Sequence, residues 1–294
     1  MANKIIKVGS RESMLAVKQA EIVMESIKKS HPHIEIELVT FKTKGDKILD
    51  RTLDKIGGKG LFIKELEQAL LDKNIDIAVH SYKDMPYEEV NELPIIALSK
   101  RETPFDVLVL PKDANKIDRS KPVGSSSQRR NLQFNMIYEG FKTAPIRGNV
   151  LTRLDKLDNG EFSALILAGA GLNRLNLQDR ISKTFTLEEM IPSASQGILA
   201  VQGRKGEDYS YLKNFHDTLS EIVSKAEREF LKTLNGGCTS PVAAYATVCE
   251  AKINLTGFYV DNLGNVSKGS LCGEVNDAEY IGKELALMLK GVIK

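Results

Sequence analysis

The sequence predicts an α/β protein in three parts, two α/β lobes followed by a small α+β domain, on the strength of three observations. Over the N-terminal third, stretches with a period of two alternate with stretches at helical spacing, the mark of βα units around a mostly parallel sheet. A second set of such units follows, with "SALILA" (Ser163 to Ala168) as its clearest buried strand. Beyond a charged helix, three strand-like segments succeed one another before a closing helix, as in a small antiparallel sheet. A chain of 294 residues that is 42% hydrophobic has also reached the size at which single cores stop growing and chains divide.

Each element follows from its own pattern. "IIKV" (Ile5 to Val8) reads as a strand and "GSRES" as the turn after it, and Ala16, Ala20, Val23 and Ile27 then recur at helical spacing. "IEIELVTF" (Ile34 to Phe41) alternates with period two. A glycine-rich loop, "KIGGKG", opens a helix in which Phe62, Leu66 and Leu70 share one face, and "IDIAVHS" (Ile75 to Ser81) is the next strand. The second α/β set begins from "IIALSKRETPFDVLVL", and "QGILAVQGR" (Gln196 to Arg204) reads as a strand able to return to the first sheet. "SEIVSKAEREFLKTL" is a helix with Ile222, Ala226, Phe230 and Leu234 on one face. "PVAAYATV", "AKINLTGFYV" and "VSKGSLCGEV" are the three antiparallel strands, and "DAEYIGKELALMLKGVI" is the closing helix.

Composition excludes several classes. "MANKIIKVGSRES" lacks the apolar core of a signal peptide and no run reaches the length of a membrane span, so a soluble, cytoplasmic protein without membrane contact is expected. Cys238, Cys249 and Cys272 are odd in number, widely spaced and without CxxC pairs, which indicates neither disulfides nor a metal site. The histidines form no ligand constellation. A formal charge of +2 and the lack of a basic stripe interleaved with aromatics argue against a nucleic-acid partner. Positive charge is instead clustered: Arg129, Arg130, Arg147 and Arg153 lie in one short interval with few acidic neighbours to neutralise them.

Four segments carry residues suited to chemistry. "VHSYKDMP" places Lys83 and Asp84 just past a strand end, where open α/β sheets present ligand-binding groups. Asp84 there is either a carboxylate that stabilises developing positive charge or moves a proton, or half of an exposed Lys-Asp turn. "VGSSSQRRNLQF" offers hydroxyl and backbone donors from Ser125 to Ser127 and then Arg129 and Arg130 at a helix start, a setting for anions. "PIRGNVLTRL" adds Arg147 and Arg153, so the arginines are either solvated surface or the wall of a cleft for an acidic ligand. "GGKGLF" lacks the spacing of a phosphate loop and reads equally as a glycine-hinged lid. Cys238, in "LNGGCTSPVA", is either a small buried hydrophobe or an accessible thiol on a glycine-flanked turn.

Taken together, "VGSRES" with "LAVKQA", "GGKGLFIKELE", "HSYKDMP", "KRETPFDVLV", "GSSSQRRNLQ", "IRGNVLTRLDKL", "LILAGAGLNRL", "PSASQG" and the segment from Glu227 to Val242 resemble, in order and separation, the hydroxymethylbilane synthase (porphobilinogen deaminase) family. The resemblance spans nearly the whole chain and weakens in the last fifty residues or so. It implies a transferase of tetrapyrrole and heme biosynthesis that joins four porphobilinogen molecules head to tail, releasing ammonia, onto a dipyrromethane cofactor held by a Cys238 thioether. Asp84 matches the family's catalytic carboxylate, which also contacts the cofactor. Lys83, Ser127, Arg129 and Arg130 would hold cofactor carboxylates. Arg11, Ser13, Gln19, Arg147, Arg153 and Arg174 would hold substrate or the growing chain, and Lys59 and Phe62 belong to an active-site loop.

The resemblance further implies two lobes like those of periplasmic binding proteins, joined by hinge segments: residues 1–98 with 197–216, and 99–196. The third domain, residues 217–294, would carry the attachment cysteine, and the protein would be a monomer with no metal. Departures from the family pattern are Tyr82 where Met or Leu is common, Gln128 for Leu, Ser195 for Gly and Gln202 for an acidic residue. A two-lobed binding protein for an acidic small molecule is the other class considered, and such a protein has no use for Asp84 and Cys238 in these settings.

Overall fold

The computed structural model describes residues 5–43, 63–88, 90–236 and 241–292. Strand β1 (Ile5–Arg11) buries Ile6 and Val8 and exposes Ile5 and Lys7. It pairs in parallel with β2 (Glu35–Phe41) as far as Arg11 opposite Phe41. Most of the segment expected to turn, Gly9 to Arg11, is therefore strand, and the turn is confined to Glu12 and Ser13. Gly9 keeps the strand free of a side chain where Ile75 crosses it: a Cβ there would meet Ile75 Cδ1 at 2.3 Å.

Helix α1 (Met14–Ser30) starts at Ser13, whose hydroxyl accepts from the Ala16 N–H, and ends on Lys28 and Lys29, which suit the helix dipole. Ala20, Val23 and Ile27 are fully buried beneath it. Helix α2 (Lys64–Leu71) buries Leu66 and Leu70 as their spacing requires; Phe62 and the glycine-rich loop lie outside the described residues. Strand β3 (Ile77–Ser81) is buried along nearly all its length and ends in a single helical turn, Tyr82–Asp84. Strand β4 (Ile95–Leu98) completes this stretch.

The next elements are β5 (Asp106–Val109), β6 (Val123–Gly124), α3 (Gln128–Ile137), β7 (Thr143–Ala144), α4 (Val150–Asp158), β8 (Ala164–Ala168), α5 (Gly169–Arg174) and β9 (Lys183–Thr184). Strand β10 (Leu199–Gly203) returns to the first sheet. The sheets run β2-β1-β3-β10-β4 and β7-β6-β8-β5-β9. The first is parallel except for β10, and the second is parallel at β7-β6-β8 with β5 reversed. In each sheet the reversed strand is the one that has just crossed from the other. "IIAL", which opened the second set in the sequence, is β4 and belongs to the first sheet.

The two crossing segments touch. Glu102 N donates to Gly197 O at 3.1 Å and Arg101 Nε to Gln196 O at 3.1 Å. Gly197 has φ +92, and a Cβ on it would meet Glu102 O at 2.3 Å, so both the turn and the approach require glycine.

The last unit begins with α6 (Thr218–Thr233), capped by Asp217, which accepts from Ser220 N at 2.7 Å. Strands β11 (Ala243–Cys249), β12 (Lys252–Val260) and β13 (Val266–Glu274) form an antiparallel sheet, and α7 (Ala278–Leu289) closes it. Phe230, Leu255 and Leu285 are fully buried at its centre. Tyr82, Met85 and Leu98 belong to the same cluster, so this core is continuous with the end of β3.

Candidate functional site

Burial of Tyr82 and Met85 on either side leaves Lys83 half-buried and Asp84 exposed at the end of β3. Tyr82 N donates to Ile198 O at 3.0 Å and Met85 N to Tyr82 O at 3.2 Å, which fixes the turn. Gln19 is buried and its Nε2 donates to Ser81 Oγ at 2.9 Å, so it steadies the strand end just before Lys83. Lys83 Nζ donates to Gln196 Oε1 at 3.1 Å. Burial pulls the Lys83 ammonium down to about 8, against the attraction of Asp84 and Asp106 and with the help of Arg130 and Arg129.

Arg129 and Arg130 occupy the first turn of α3, whose cap Ser127 accepts from Arg130 N. Both are buried, and both have an acidic partner that the sequence interval does not contain. Asp106, fully buried at the start of β5, accepts from Arg129 Nη1 at 2.6 Å and from Arg130 Nε at 2.9 Å and Nη2 at 2.8 Å. The expectation of few neutralising neighbours is thus corrected: the partner lies far away in sequence and adjacent in space. Gln196 Nε2 donates to the same carboxylate at 3.0 Å. Burial disfavours the Asp106 anion, yet the two guanidinium groups and Gln196 hold its carboxyl far below the usual range. A continuous polar chain therefore runs Lys83, Gln196, Asp106, Arg129 and Arg130, from the first sheet into the second.

Arg153 on α4 donates from Nε to Gly148 O at 2.8 Å. Burial lowers it to about 10, Arg130 and Arg147 push the same way, and Asp84 opposes them. Arg130 is likewise lowered by burial and supported by Asp106 and Asp84. Asp84 of the first lobe thus acts on cations of the second. Arg11 ends β1 and works on His80, which burial lowers to about 4, with Gln202 opposing and Arg11 assisting. Ser13 is the α1 cap. Arg174 stands apart at the crossing segments, donating from Nη2 to Gly197 O at 2.6 Å, with burial lowering it to about 10 against Glu102. Lys59, Phe62 and Cys238 lie outside the described residues.

Asp106, Gln196 and Glu227 were not singled out from sequence, although each left a trace. Asp106 is a lone carboxylate heading an apolar strand, and Gln196 sits in "PSASQG". Glu227 lies four residues after Val223 and three before Phe230, on the apolar face of α6, and is fully buried. It accepts from Arg101 Nη1 and Nη2 at 2.8 and 2.6 Å, Ser195 N at 2.6 Å and Ala246 N at 2.7 Å. Among the described residues no group of His, Cys, Asp and Glu is placed to hold a metal ion, and no helix is long and apolar enough to cross a membrane.

Lys83, Arg129, Arg130, Arg147 and Arg153 outnumber Asp84 and Asp106, and burial of Arg129, Arg130 and Asp106 strengthens the interactions of their charges. Fold and charge together define a class: a two-lobed α/β protein arranged to take a polyanionic small molecule. Within it, the family model "Porphobilinogen deaminase, dipyromethane cofactor binding domain" matches residues 6–211, and "Porphobilinogen deaminase, C-terminal domain" matches residues 222–291. The porphobilinogen deaminase of Acetivibrio thermocellus is 61% identical over 97% of this chain and 98% of its own. That of Alkaliphilus oremlandii is 58% identical over 97% of each, and that of Ruminiclostridium josui 53% identical over 98% of each. The chain belongs to the porphobilinogen deaminase family. The donor set fits that family's dipyrromethane, whose acetate and propionate groups are the anions that surplus guanidinium and ammonium groups take.

Proposed function

We propose that this chain is a hydroxymethylbilane synthase. It joins four porphobilinogen molecules head to tail onto dipyrromethane with release of ammonia, and frees the linear tetrapyrrole by hydrolysis. The observation that carries the assignment of roles is Asp84: an exposed carboxylate at a strand end, in electrostatic reach of Lys83, Arg130 and Arg153 from both lobes. When bound, dipyrromethane supplies the pyrrole carbon to which the first unit is joined.

In each addition the C–N bond of the aminomethyl group breaks, ammonia leaves with a proton, and a C–C bond forms as the acceptor pyrrole loses its α-hydrogen as a proton. Positive charge develops on pyrrole nitrogen, and Asp84 accepts from that N–H and stabilises it. Lys83, Ser127, Arg129 and Arg130 hold cofactor carboxylates. Arg11, Ser13, Arg147 and Arg153 hold those of the incoming unit and growing chain. Gln19 supports that site through Ser81, and Arg174 through Gly197 at the crossing. Cys238 is the thioether anchor, and Lys59 and Phe62 belong to the active-site loop. The domains are residues 1–98 with 197–216, 99–196, and 217–294, a division supported by the strand memberships. The protein works as a cytoplasmic monomer. Incubating cofactor-loaded protein with porphobilinogen tests the reading: one ammonia per porphobilinogen and one tetrapyrrole per four is expected, and no consumption would overturn it.

A further inference from the structure

We infer that Arg228 is a positioning residue for Asp84, tying the turn that carries this carboxylate to the third domain. The inference rests on the reading of Asp84 as the catalytic carboxylate. The Arg228 guanidinium lies over the Tyr82 ring, 4.3 Å from its centroid. Its Nη1 donates to Tyr82 O and Met85 O, each at 3.5 Å, and its Nη2 to Pro86 O. The two longer contacts are weak individually, but three carbonyls from one five-residue stretch converge on one cation. They bracket Lys83 and Asp84 on both sides.

Two further observations give the contact its direction. Tyr82 and Met85, the residues flanking Lys83 and Asp84, bury their side chains in the core built around Phe230 of α6. Glu227, the residue before Arg228, fastens the same helix to Arg101 and Ser195 on the crossing segments. Consecutive residues of α6 therefore hold the lobe crossing and the Asp84 turn, and Cys238 follows the helix by five residues in sequence. The contact also accounts for Tyr82, where the family often has Met or Leu: an aromatic face attracts a guanidinium and an aliphatic side chain does not.

Arg228→Gln, Arg228→Lys and Tyr82→Leu, each made alone and with Asp84→Ala, test this by single-turnover consumption of porphobilinogen and by the intact mass that reports cofactor loading. Arg228→Gln should load cofactor normally and lose about tenfold in kcat with KM within about twofold, the mark of a misplaced reacting group. Arg228→Lys should recover most of that loss, since an ammonium donates to the same carbonyls. With Asp84→Ala already present, Arg228→Gln should cost nothing more, because the two act as one unit. Full turnover of Arg228→Gln, or the same tenfold loss without Asp84, would overturn the inference. If Arg228→Gln does not fold, Tyr82→Leu, expected to lose about threefold in kcat, decides by the same comparison. Near-normal turnover of Asp84→Ala alone would remove the reading on which the inference rests. That result is distinct from a fully active Arg228→Gln beside a crippled Asp84→Ala.

Discussion

Asp106→Asn replaces the carboxylate that Arg129 and Arg130 share with a neutral group of the same shape. Asp106 is 0% exposed, Arg129 4% and Arg130 9%, so water cannot take over the lost charge. Removing one partner from a buried ion cluster costs about 3–5 kcal/mol, mostly because the remaining charge stays buried. Asparagine retains one carbonyl acceptor, while its amide N–H groups face a donor in either orientation, Arg129 at the Oδ2 position or Arg130 and Gln196 at the Oδ1 position, so little is recovered. A loss of about 3–4 kcal/mol is expected in cofactor-free protein, a large share of the roughly 5–15 kcal/mol that holds a domain together. Urea unfolding of both proteins without cofactor, at neutral pH, measures it directly. Loaded protein should lose less, because cofactor carboxylates offset part of the surplus charge. The Asp106 contribution is present above the ordinary carboxylate pKa and is lost only as pH falls far below it, since the folded-state value is depressed. A measured loss under about 1 kcal/mol would refute the reasoning, placing the arginine pair at the level of a solvated surface pair.

Three other outcomes follow. Asp84→Ala should fold, load cofactor and lose at least about 10²-fold in turnover, the scale of a lost charge-stabilising or proton-moving group; near-normal rates would sink its assignment. His80 is neutral in the fold down to about pH 4 and protonates from 6.5 in the unfolded chain, so stability falls as pH drops through that window. His80→Gln should remove up to about 3 kcal/mol of that acid fall, visible in urea midpoints across pH, and unchanged pH dependence would contradict it. Ser195 sits at φ +59 with a buried hydroxyl that makes no hydrogen bond. Ser195→Gly relieves both and makes the unfolded chain more flexible, for a net gain of about 1 kcal/mol; a lower unfolding midpoint would count against it.

Much of the architecture was legible because burial patterns are local. Ala20, Val23 and Ile27 declare a helix face, and "QGILAVQGR" declares a buried strand whose place between β3 and β4 the coordinates supply. "GSRES" misled because glycine and serine resemble a turn, whereas Gly9 to Arg11 continue a parallel ladder whose partner lies thirty residues on. The site was legible where charge stands near charge in sequence, as with Lys83 and Asp84 or Arg129 and Arg130. It was hidden where pairing is long-range: Asp106 reaches Arg129 across 23 residues and Gln196 across 90. Ser195, a departure from glycine in sequence, proved to occupy a backbone conformation that favours glycine.

The central claim is a covalent pyrrole primer on Cys238, and intact mass tests it most directly. The purified protein and Cys238→Ser would be weighed side by side after denaturation. The account predicts an added mass of two linked pyrroles on the parent that is absent from Cys238→Ser. A bare polypeptide mass in both, unchanged in the parent after incubation with porphobilinogen, would contradict it.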